Sequence, residues 1–493
     1  MSEISEKMRP KMAGVMELES VEVGSDEFVQ EYSTRRSKTK VIPEGVSSRG
    51  IYRDIIHIAW PTLIELTLSQ LTSMFDLMMV GNLGETAIAA VSLATQPKFI
   101  LNTIFTSMNV GATALVARCK GAHEPERANH FMRQALVLNL FFSIVSMVVG
   151  LILTEPLIGL MNPPSEATFA GGVDYLRIQL YGIVPLALTF TITAVLRGVG
   201  NTKIAMMYNL VANVVNIIGN YLLIEGNLGF PRLEVAGASW ATIIGQTVAF
   251  FIALIVIMRP GHYLHLSFRA NFRPDFAAMK EIAKIGIPAM IENVIMRIAI
   301  IIYTRAVTSL GETDYATHTI CMNIQALSFM TGQAFAASAT SLMGQSLGRK
   351  RPDMGEIYTK YTRRLGLIVS ILLMLIFFFF GAQIVGLYNN KPEIVESGRM
   401  ILMFVAFMQP FQSSQFIIAG GLRGAGDTRS IAIIVMITTL GVRTGLAAVT
   451  IYLLHWGLPG AWIALVADQL LRSLLVLLRY NSGKWKTIKV KVS

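Results

Sequence analysis

Residues 58–86 read IAWPTLIELTLSQLTSMFDLMMVGNLGET, an apolar run of helical length that carries two acidic residues. Glu65 and Asp76 are eleven residues apart. This is about three turns of α-helix, so both side chains should lie on nearly the same face, about 16 Å apart along the axis. The stretch therefore predicts a membrane-spanning helix with an acidic face.

A second copy of this pattern begins 227 residues later. Three features recur without a gap: Pro61 as Pro288, Glu65 as Glu292, and residues 83–86 as residues 310–313. Asp76, by contrast, has Tyr303 as its counterpart. The duplication predicts two structural halves, and the acid at Asp76 belongs to the first half only.

The composition excludes a soluble globular protein of this size. Of the 493 residues, 53% are hydrophobic and 15% are charged, and the mean hydropathy is +0.54. These values indicate an integral membrane protein. The net charge of +11 does not indicate nucleic-acid binding, because no motif supports it and basic loops set orientation in a membrane. The two cysteines have no C-x-x-C spacing and predict neither a disulfide framework nor a metal site.

Twelve stretches are long enough to cross about 30 Å of hydrocarbon as helices. Their length and continuity favour helices over the short alternating strands of a β-barrel. We predict spans at residues 55–80, 87–115, 129–152, 174–196, 203–224 and 236–258, then at 282–308, 315–343, 363–387, 399–422, 429–453 and 459–479. The predicted fold is an all-α integral membrane protein with 12 transmembrane helices in two six-helix lobes, related by a pseudo-two-fold axis along the membrane normal.

The distribution of charge predicts the orientation of these spans. Basic residues cluster in the loops after even-numbered spans, and acidic residues in the loops after odd-numbered spans. We therefore expect both termini in the cytoplasm and the protein in the plasma (inner) membrane. The predicted divisions are a disordered cytoplasmic tail at 1–50, an N-terminal lobe at 51–258, a basic cytoplasmic linker at 259–281, a C-terminal lobe at 282–480 and a basic cytoplasmic tail at 481–493.

Ionisable side chains inside the predicted spans are the first candidates for function, because each costs about 2.5–3.5 kcal/mol on insertion scales. They are Glu65, Asp76, Lys98, Glu292, Arg297, Arg305, Arg443 and Asp468. Asp76 lies near the outer end of its helix. Binding a proton or Na⁺ there would remove the cost of a buried charge, as a coupling ion must do. The alternative is an acid capped by neighbouring Ser or Thr hydroxyls.

The repeat bears on the remaining acids and on Lys98. Glu65 and Glu292 occupy the same repeat position, which suits either structural pairing or the lining of a cavity. Lys98 could be a counter-ion to Asp76 across the first two helices, or its ammonium could extend to the outer surface.

Two arginines on span 7 and four asparagines on span 5 each have two interpretations. Arg297 and Arg305 could form a positive wall for an anionic or zwitterionic substrate group, or they could pair with Glu292 or Asp468. Four asparagines on span 5 share one helical face, because their spacings are four, three and four. They could form interhelical hydrogen bonds or line a polar cavity: Asn209, Asn213, Asn216 and Asn220.

Several motifs together resemble one transporter family. They are FDLMMVG at 75–81, LRGVGNT at 196–202, GFP at 229–231 followed by GA at 237–238, and LRGAGDT at 422–428. With twelve spans and a six-plus-six repeat, the chain resembles the multidrug and toxic compound extrusion (MATE) transporters over nearly all of residues 51–480. The resemblance implies a V-shaped transporter of two lobes that exports organic compounds, often cationic ones, in exchange for H⁺ or Na⁺.

The resemblance also implies roles for individual residues. Asp76 matches the first-helix acid of the family, which is implicated in cation coupling. Asn216 and Thr242 match polar neighbours of that acid in some members, whereas Asn220 stands where those members place a second aspartate. Gln412 falls where certain sodium-coupled members have an acid, so a sodium site in the second lobe is not expected.

We therefore predict a secondary antiporter and not an enzyme. Its coupling site is Asp76 with Asn216, Asn220 and Thr242, and it holds H⁺ or Na⁺. The residues expected to line the substrate cavity or gate are Glu65, Lys98, Asn213, Glu292, Arg297, Arg305 and Gln412.

The remaining expectations concern partners. We expect a monomer in a lipid bilayer with a small organic substrate, no nucleic acid, no cofactor beyond the coupling ion, and no metal except Na⁺ at Asp76. The alternative function is a flippase for a lipid-linked precursor from the same superfamily, in which Arg297 and Arg305 would bind the phosphate.

Overall fold

The computed structural model describes residues 47–161, 163–267, 271–389 and 391–488. Nearly all of the tail predicted at 1–50, and the last five residues of the tail predicted at 481–493, lie outside the described residues. All regular secondary structure in the described residues is helical, and they contain no β-strand.

Fourteen helices are numbered here in chain order. They are α1 (Ser48–Gly81), α2 (Glu85–Gly121), α3 (Pro125–Ile152), α4 (Thr154–Leu160), α5 (Glu166–Tyr181), α6 (Ile183–Gly198), α7 (Thr202–Leu223), α8 (Glu234–Met258), α9 (Phe276–Thr308), α10 (Glu312–Gly348), α11 (Pro352–Gly386), α12 (Pro392–Gly424), α13 (Thr428–Leu453) and α14 (Gly457–Asn481).

The helices account for the predicted spans with one change of shape. Ten described helices are long and apolar enough to cross a membrane, and the pair α5 and α6 makes one more span that is bent by 52°. The span predicted at 174–196 corresponds to this bent pair, in which the chain breaks at Gly182.

The twelfth helix is α10, which is less apolar than the others. It has 37 residues, as does its repeat mate α2. Its polar side chains, such as Thr317, Gln325 and Ser341, are buried. They pack against other helices instead of lipid, so α10 does not need the apolar surface that reveals a lipid-facing helix.

The two halves repeat one another in backbone conformation as well as in sequence. Gly84 precedes α2 with φ +109° and Gly311 precedes α10 with φ +116°. Gly200 and Gly426, in the turns before α7 and α13, have φ +83° and +85°. Glycine adopts positive φ angles without steric cost. The repeated glycines therefore allow the same turns in both halves.

The lobes meet where α2 crosses α10. A Cβ atom placed on Gly121 would lie 1.9 Å from the Gln345 carbonyl oxygen, and one placed on Gly348 would lie 2.0 Å from the Arg118 carbonyl oxygen. Positions 118 and 345 are repeat mates, as are 121 and 348, so these are two copies of one contact. Between them, a Cβ on Gly344 would lie 2.7 Å from the Ala117 Cβ, and positions 117 and 344 are also mates. The pseudo-two-fold axis therefore passes between Ala117 and Gly344.

Two hydrogen bonds between the lobes lie beside this crossing. Gln345 Nε2 donates to the Gly198 carbonyl at 3.1 Å, and its repeat mate Arg118 donates through Nη2 to the Ala425 carbonyl at 2.7 Å. These residues lie at the end of the bundle where α1 begins and α14 ends, which we name the terminal face. These two bonds join the lobes near the terminal face.

The chain between the lobes packs on the N-terminal lobe. Asp275 caps α9 by accepting from the backbone N–H of Ala277 at 2.9 Å, and it contacts His130 on α3 at 2.9 Å. Gln134 donates to the Arg273 carbonyl at 3.0 Å. The last residues of the predicted linker are helical, because α9 begins at Phe276.

We expect Gly348→Ala to destabilise the protein. The added methyl group would overlap the α2 backbone, and overpacking typically costs about 1–3 kcal/mol. Gly386→Ala is the matched control, because Gly386 also ends a helix and a Cβ there meets nothing within 4 Å. Thermal unfolding of the purified proteins in detergent tests this. Equal melting temperatures for the two variants would contradict the close crossing.

The linker contact should respond to acid. The hydrogen bond with His130, together with the backbone N–H groups of Ala278 and Ala277, lowers the pKa of Asp275 below its ordinary value of 3.8. A lowered folded-state pKa means that the contact is fully present above pH 3.8 and weakens as the pH falls through the lower folded value. Hydrogen exchange of residues 271–275 should increase in that range, and Asp275→Asn should raise it already at pH 7. Unchanged exchange in Asp275→Asn would argue against this contact.

Candidate functional site

The N-terminal lobe contains a polar cluster around Asp76. Asn220 Nδ2 on α7 donates to Asp76 Oδ1 at 2.5 Å. The Asn216 amide is oriented by its neighbours: its nitrogen donates to the same oxygen at 2.7 Å, and its oxygen accepts from Thr242 Oγ1 at 3.2 Å. Asp76 is partly exposed, whereas Asn216 and Asn220 are buried. The structure thus brings Asp76, Asn216, Asn220 and Thr242 into one cluster.

The asparagines of α7 face α1 along its length. Asn209 donates to Glu65 at 2.6 Å, and Asn213 lies 3.5 Å from Ser69 Oγ. These contacts, like that between Asn220 and Asp76, join residues 144 positions apart. The two helices are therefore parallel and in register, and the amides form interhelical hydrogen bonds.

Lys98 on α2 points into the N-terminal lobe. Its ammonium donates to Gln179 Oε1 on α5 at 2.7 Å. Of the two interpretations of Lys98, this contact favours an inward position over extension to the surface.

Glu65 and Glu292 each form an ion pair. Arg197 Nη2 lies 2.8 Å from Glu65, and Arg423 Nη2 lies 2.5 Å from Glu292. Both glutamates are buried. The predicted spans end one residue before these arginines, at 196 and 422, but α6 and α12 continue through them. Their shared position in the repeat, 226 residues apart, was the signal that could have identified them.

The C-terminal lobe has a different cluster at the corresponding place. Asp468 on α14 is fully buried and contacts Arg443 and Arg472, each at 2.6 Å. Arg443 lies in a π-helical segment of α13, Met436–Thr444, which widens the helix locally. The Arg443 guanidinium lies 6.0 Å from the ring of Tyr303, the repeat mate of Asp76. Asp468 is therefore neutralised by these two arginines.

The pairing proposed for Arg297 and Arg305 is wrong, because Glu292 and Asp468 bond other arginines. Arg297 stacks on Phe99 of α2 at 4.7 Å, across the two lobes. Arg305 is exposed near the end of α9. Gln412 is buried on α12 in the C-terminal lobe, which does not hold the Asp76 cluster.

The Asp76 cluster offers oxygen atoms to a cation. The described residues contain no group of three His, Cys, Asp or Glu side chains that could hold a metal ion. The cluster instead combines one carboxylate with amide and hydroxyl oxygens, which suit a proton or a hard cation such as Na⁺. Within the described chain, the buried Asn220 Oδ1 accepts no hydrogen bond. That oxygen is free to face a bound cation.

The fold and these clusters define a polytopic membrane transporter built from two pseudo-symmetric helical lobes. The chain belongs to the MatE family, whose model matches residues 61–222 and again residues 288–449. The two matches begin 227 residues apart, as the repeat does. Members of the family are transporters and not enzymes.

Relatives and solved structures agree with this assignment. The chain is 28% identical over 438 residues to a probable multidrug resistance protein NorM of Thermotoga maritima, covering 88% of this chain and 93% of the relative. It is 26% identical to the uncharacterized transporter YisQ of Bacillus subtilis, covering 87% and 94%. A structure described as an outward-facing conformation of a multidrug resistance MATE family transporter matches with a TM-score of 0.83 at 21% identity, covering 89% and 97%. That likeness concerns the fold.

Glu65→Gln should destabilise the N-terminal lobe, because it leaves the Arg197 guanidinium without its carboxylate. Losing a buried, charge-assisted hydrogen bond costs roughly 1.5–3 kcal/mol. The control is Glu155→Gln, which breaks an exposed pair with Arg177 and should cost less than about 1 kcal/mol. Thermal unfolding distinguishes the two. A melting temperature no lower than that of the control would argue against the buried pair.

Proposed function

We propose that this protein is a secondary antiporter that exports small organic compounds, mainly cationic ones, in exchange for H⁺ or Na⁺. Asp76 is the coupling carboxylate, and Asn216, Asn220 and Thr242 orient it. The carboxylate holds the coupling cation in one conformation and releases it as substrate binds.

The contrast between Asp76 and the other acids within the spans carries this proposal. Glu65, Glu292 and Asp468 are buried and each bonds an arginine. Asp76 is partly exposed, and its described hydrogen bonds come from amides. A permanently paired acid has no need of a mobile cation, whereas an accessible acid without a guanidinium can exchange one.

The position of Asp76 supports alternating access. Asp76 is five residues from the end of α1 at Gly81, far from the terminal face where the lobes are joined. With both termini in the cytoplasm of a plasma-membrane protein, as the loop charges predict, the joined side is cytoplasmic. The Asp76 cluster then faces the outside, where a coupling ion enters.

The class of substrate is supported by the names of relatives, since several are probable multidrug resistance proteins. These names do not favour the alternative of a flippase for a lipid-linked precursor. The contacts of Arg297 with Phe99 and the exposure of Arg305 add no phosphate site.

Asp76→Asn should abolish gradient-driven export while leaving the fold intact, because an amide cannot bind and release the coupling cation. The measurement is flux of a fluorescent organic cation in proteoliposomes, with a pH gradient and a sodium gradient imposed separately. Export by the wild type under one gradient alone identifies the coupling ion.

The matched control is Asp174→Asn, which removes an exposed acid from the same lobe and should transport normally. The melting temperature of Asp76→Asn should stay near that of the wild type. Gradient-driven export by Asp76→Asn at the wild-type rate would refute the role of Asp76, and loss of export in both variants would mean a nonspecific effect of charge.

A further inference from the structure

A basic groove lies beside the beginning of α1. Its volume is about 740 Å³, and its lining includes Arg49, Arg53, His57, Trp60 and Lys203. We name it the α1 groove. A volume of this size lies within the roughly 300–1,000 Å³ range of small-molecule sites. The groove is at the terminal face, away from the Asp76 cluster.

The charge in the groove is not neutralised by its own lining. Arg49, Arg53 and Lys203 are exposed, and no carboxylate stands among the lining residues of the described chain. The neighbouring acid, Asp54, accepts a hydrogen bond from Tyr358 of the other lobe at 2.8 Å. Three guanidinium and ammonium groups are therefore available to an anion.

Polarity in the groove changes along the helix axis. Arg49, Arg53 and Trp60 follow one side of α1, because they are four and seven residues apart. Trp60 is 60% exposed, and Ile56, next to it in the lining, is 48% exposed. From Arg49 to Trp60 the helix rises about 16 Å, so the groove passes from charged at the terminal face to apolar within the span.

This change from charged to apolar along the groove matches one class of ligand, the phospholipids. A phospholipid has a phosphate at the membrane surface and acyl chains directed into the hydrocarbon, and Trp side chains favour that boundary. A free inorganic anion would leave Trp60 and Ile56 uncovered. We propose that the α1 groove binds an anionic phospholipid of the leaflet at the terminal face, with its phosphate between Arg49, Arg53 and Lys203 and its chains against Trp60 and Ile56.

The second repeat provides a matched comparison. The mates of Arg53, His57 and Lys203 are also basic, and the mate of Trp60 is Ile287, which is 46% exposed; the basic mates are Lys280, Lys284 and Arg429. There, however, Glu281 lies 3.9 Å from Lys284, and the indole is absent. The mate of Arg49 is Phe276, so the second repeat keeps the basic residues of the groove only in part.

The test uses the full-length protein in detergent, titrated with phosphatidylglycerol, phosphatidylcholine or inorganic phosphate, with bound lipid counted by native mass spectrometry. The wild type should retain phosphatidylglycerol in preference to phosphatidylcholine, and inorganic phosphate should not displace it. Arg53→Gln with Lys203→Gln should weaken phosphatidylglycerol binding about tenfold or more.

Two further variants test whether lipid binding depends on this groove and not on charge in general. Lys280→Gln with Arg429→Gln removes the same charge from the second repeat and should bind as the wild type does. Trp60→Ala should weaken lipid binding while leaving the melting temperature near that of the wild type. Equal losses in the two double variants would mean diffuse attraction to charge and would overturn the site. Displacement by inorganic phosphate, or equal retention of the two lipids, would overturn the assignment of an anionic lipid.

Discussion

The close crossing of α2 and α10 is the contact on which the arrangement of the two lobes depends. Helix backbones in a membrane approach this closely only where side chains are small, and here Ala117 and Gly344 lie on the pseudo-two-fold axis with Gly121 and Gly348 on either side. The contact lies near the terminal face, so it joins the lobes at one end. A larger residue at any of these four positions would separate the lobes where they must meet.

The lobes share an architecture but differ in their electrostatics. Both have a buried glutamate paired with an arginine at the same repeat position. Eleven residues further along the helix, however, the first lobe has Asp76 and the second has Tyr303. The second lobe instead buries Asp468 between Arg443 and Arg472. Duplication thus preserved the helices, while substitution left one lobe with an acid that no guanidinium neutralises in the described chain.

The sequence predicted the twelve spans and the repeat because these follow from local patterns, whereas the residues around Asp76 were implied by the resemblance to a family. Apolar length gives spans, and the spacings of four, three and four place the asparagines of α7 on one face. The partners of Glu65 and Glu292 were missed because the predicted spans end at residues 196 and 422, one residue before Arg197 and Arg423. The bend at Gly182 was missed because the apolar pattern continues across it.

The amino-acid sequence by itself determined the membrane class, the number of spans, the two-fold repeat and the uniqueness of Asp76, since hydrophobic length and repeated residues are properties of the chain alone. Only the tertiary structure decided which acids are neutralised, where the lobes touch and which basic side chains line the groove beside α1. These depend on distances between residues far apart in sequence, and a burial cost is removed only when a specific partner lies within bonding distance.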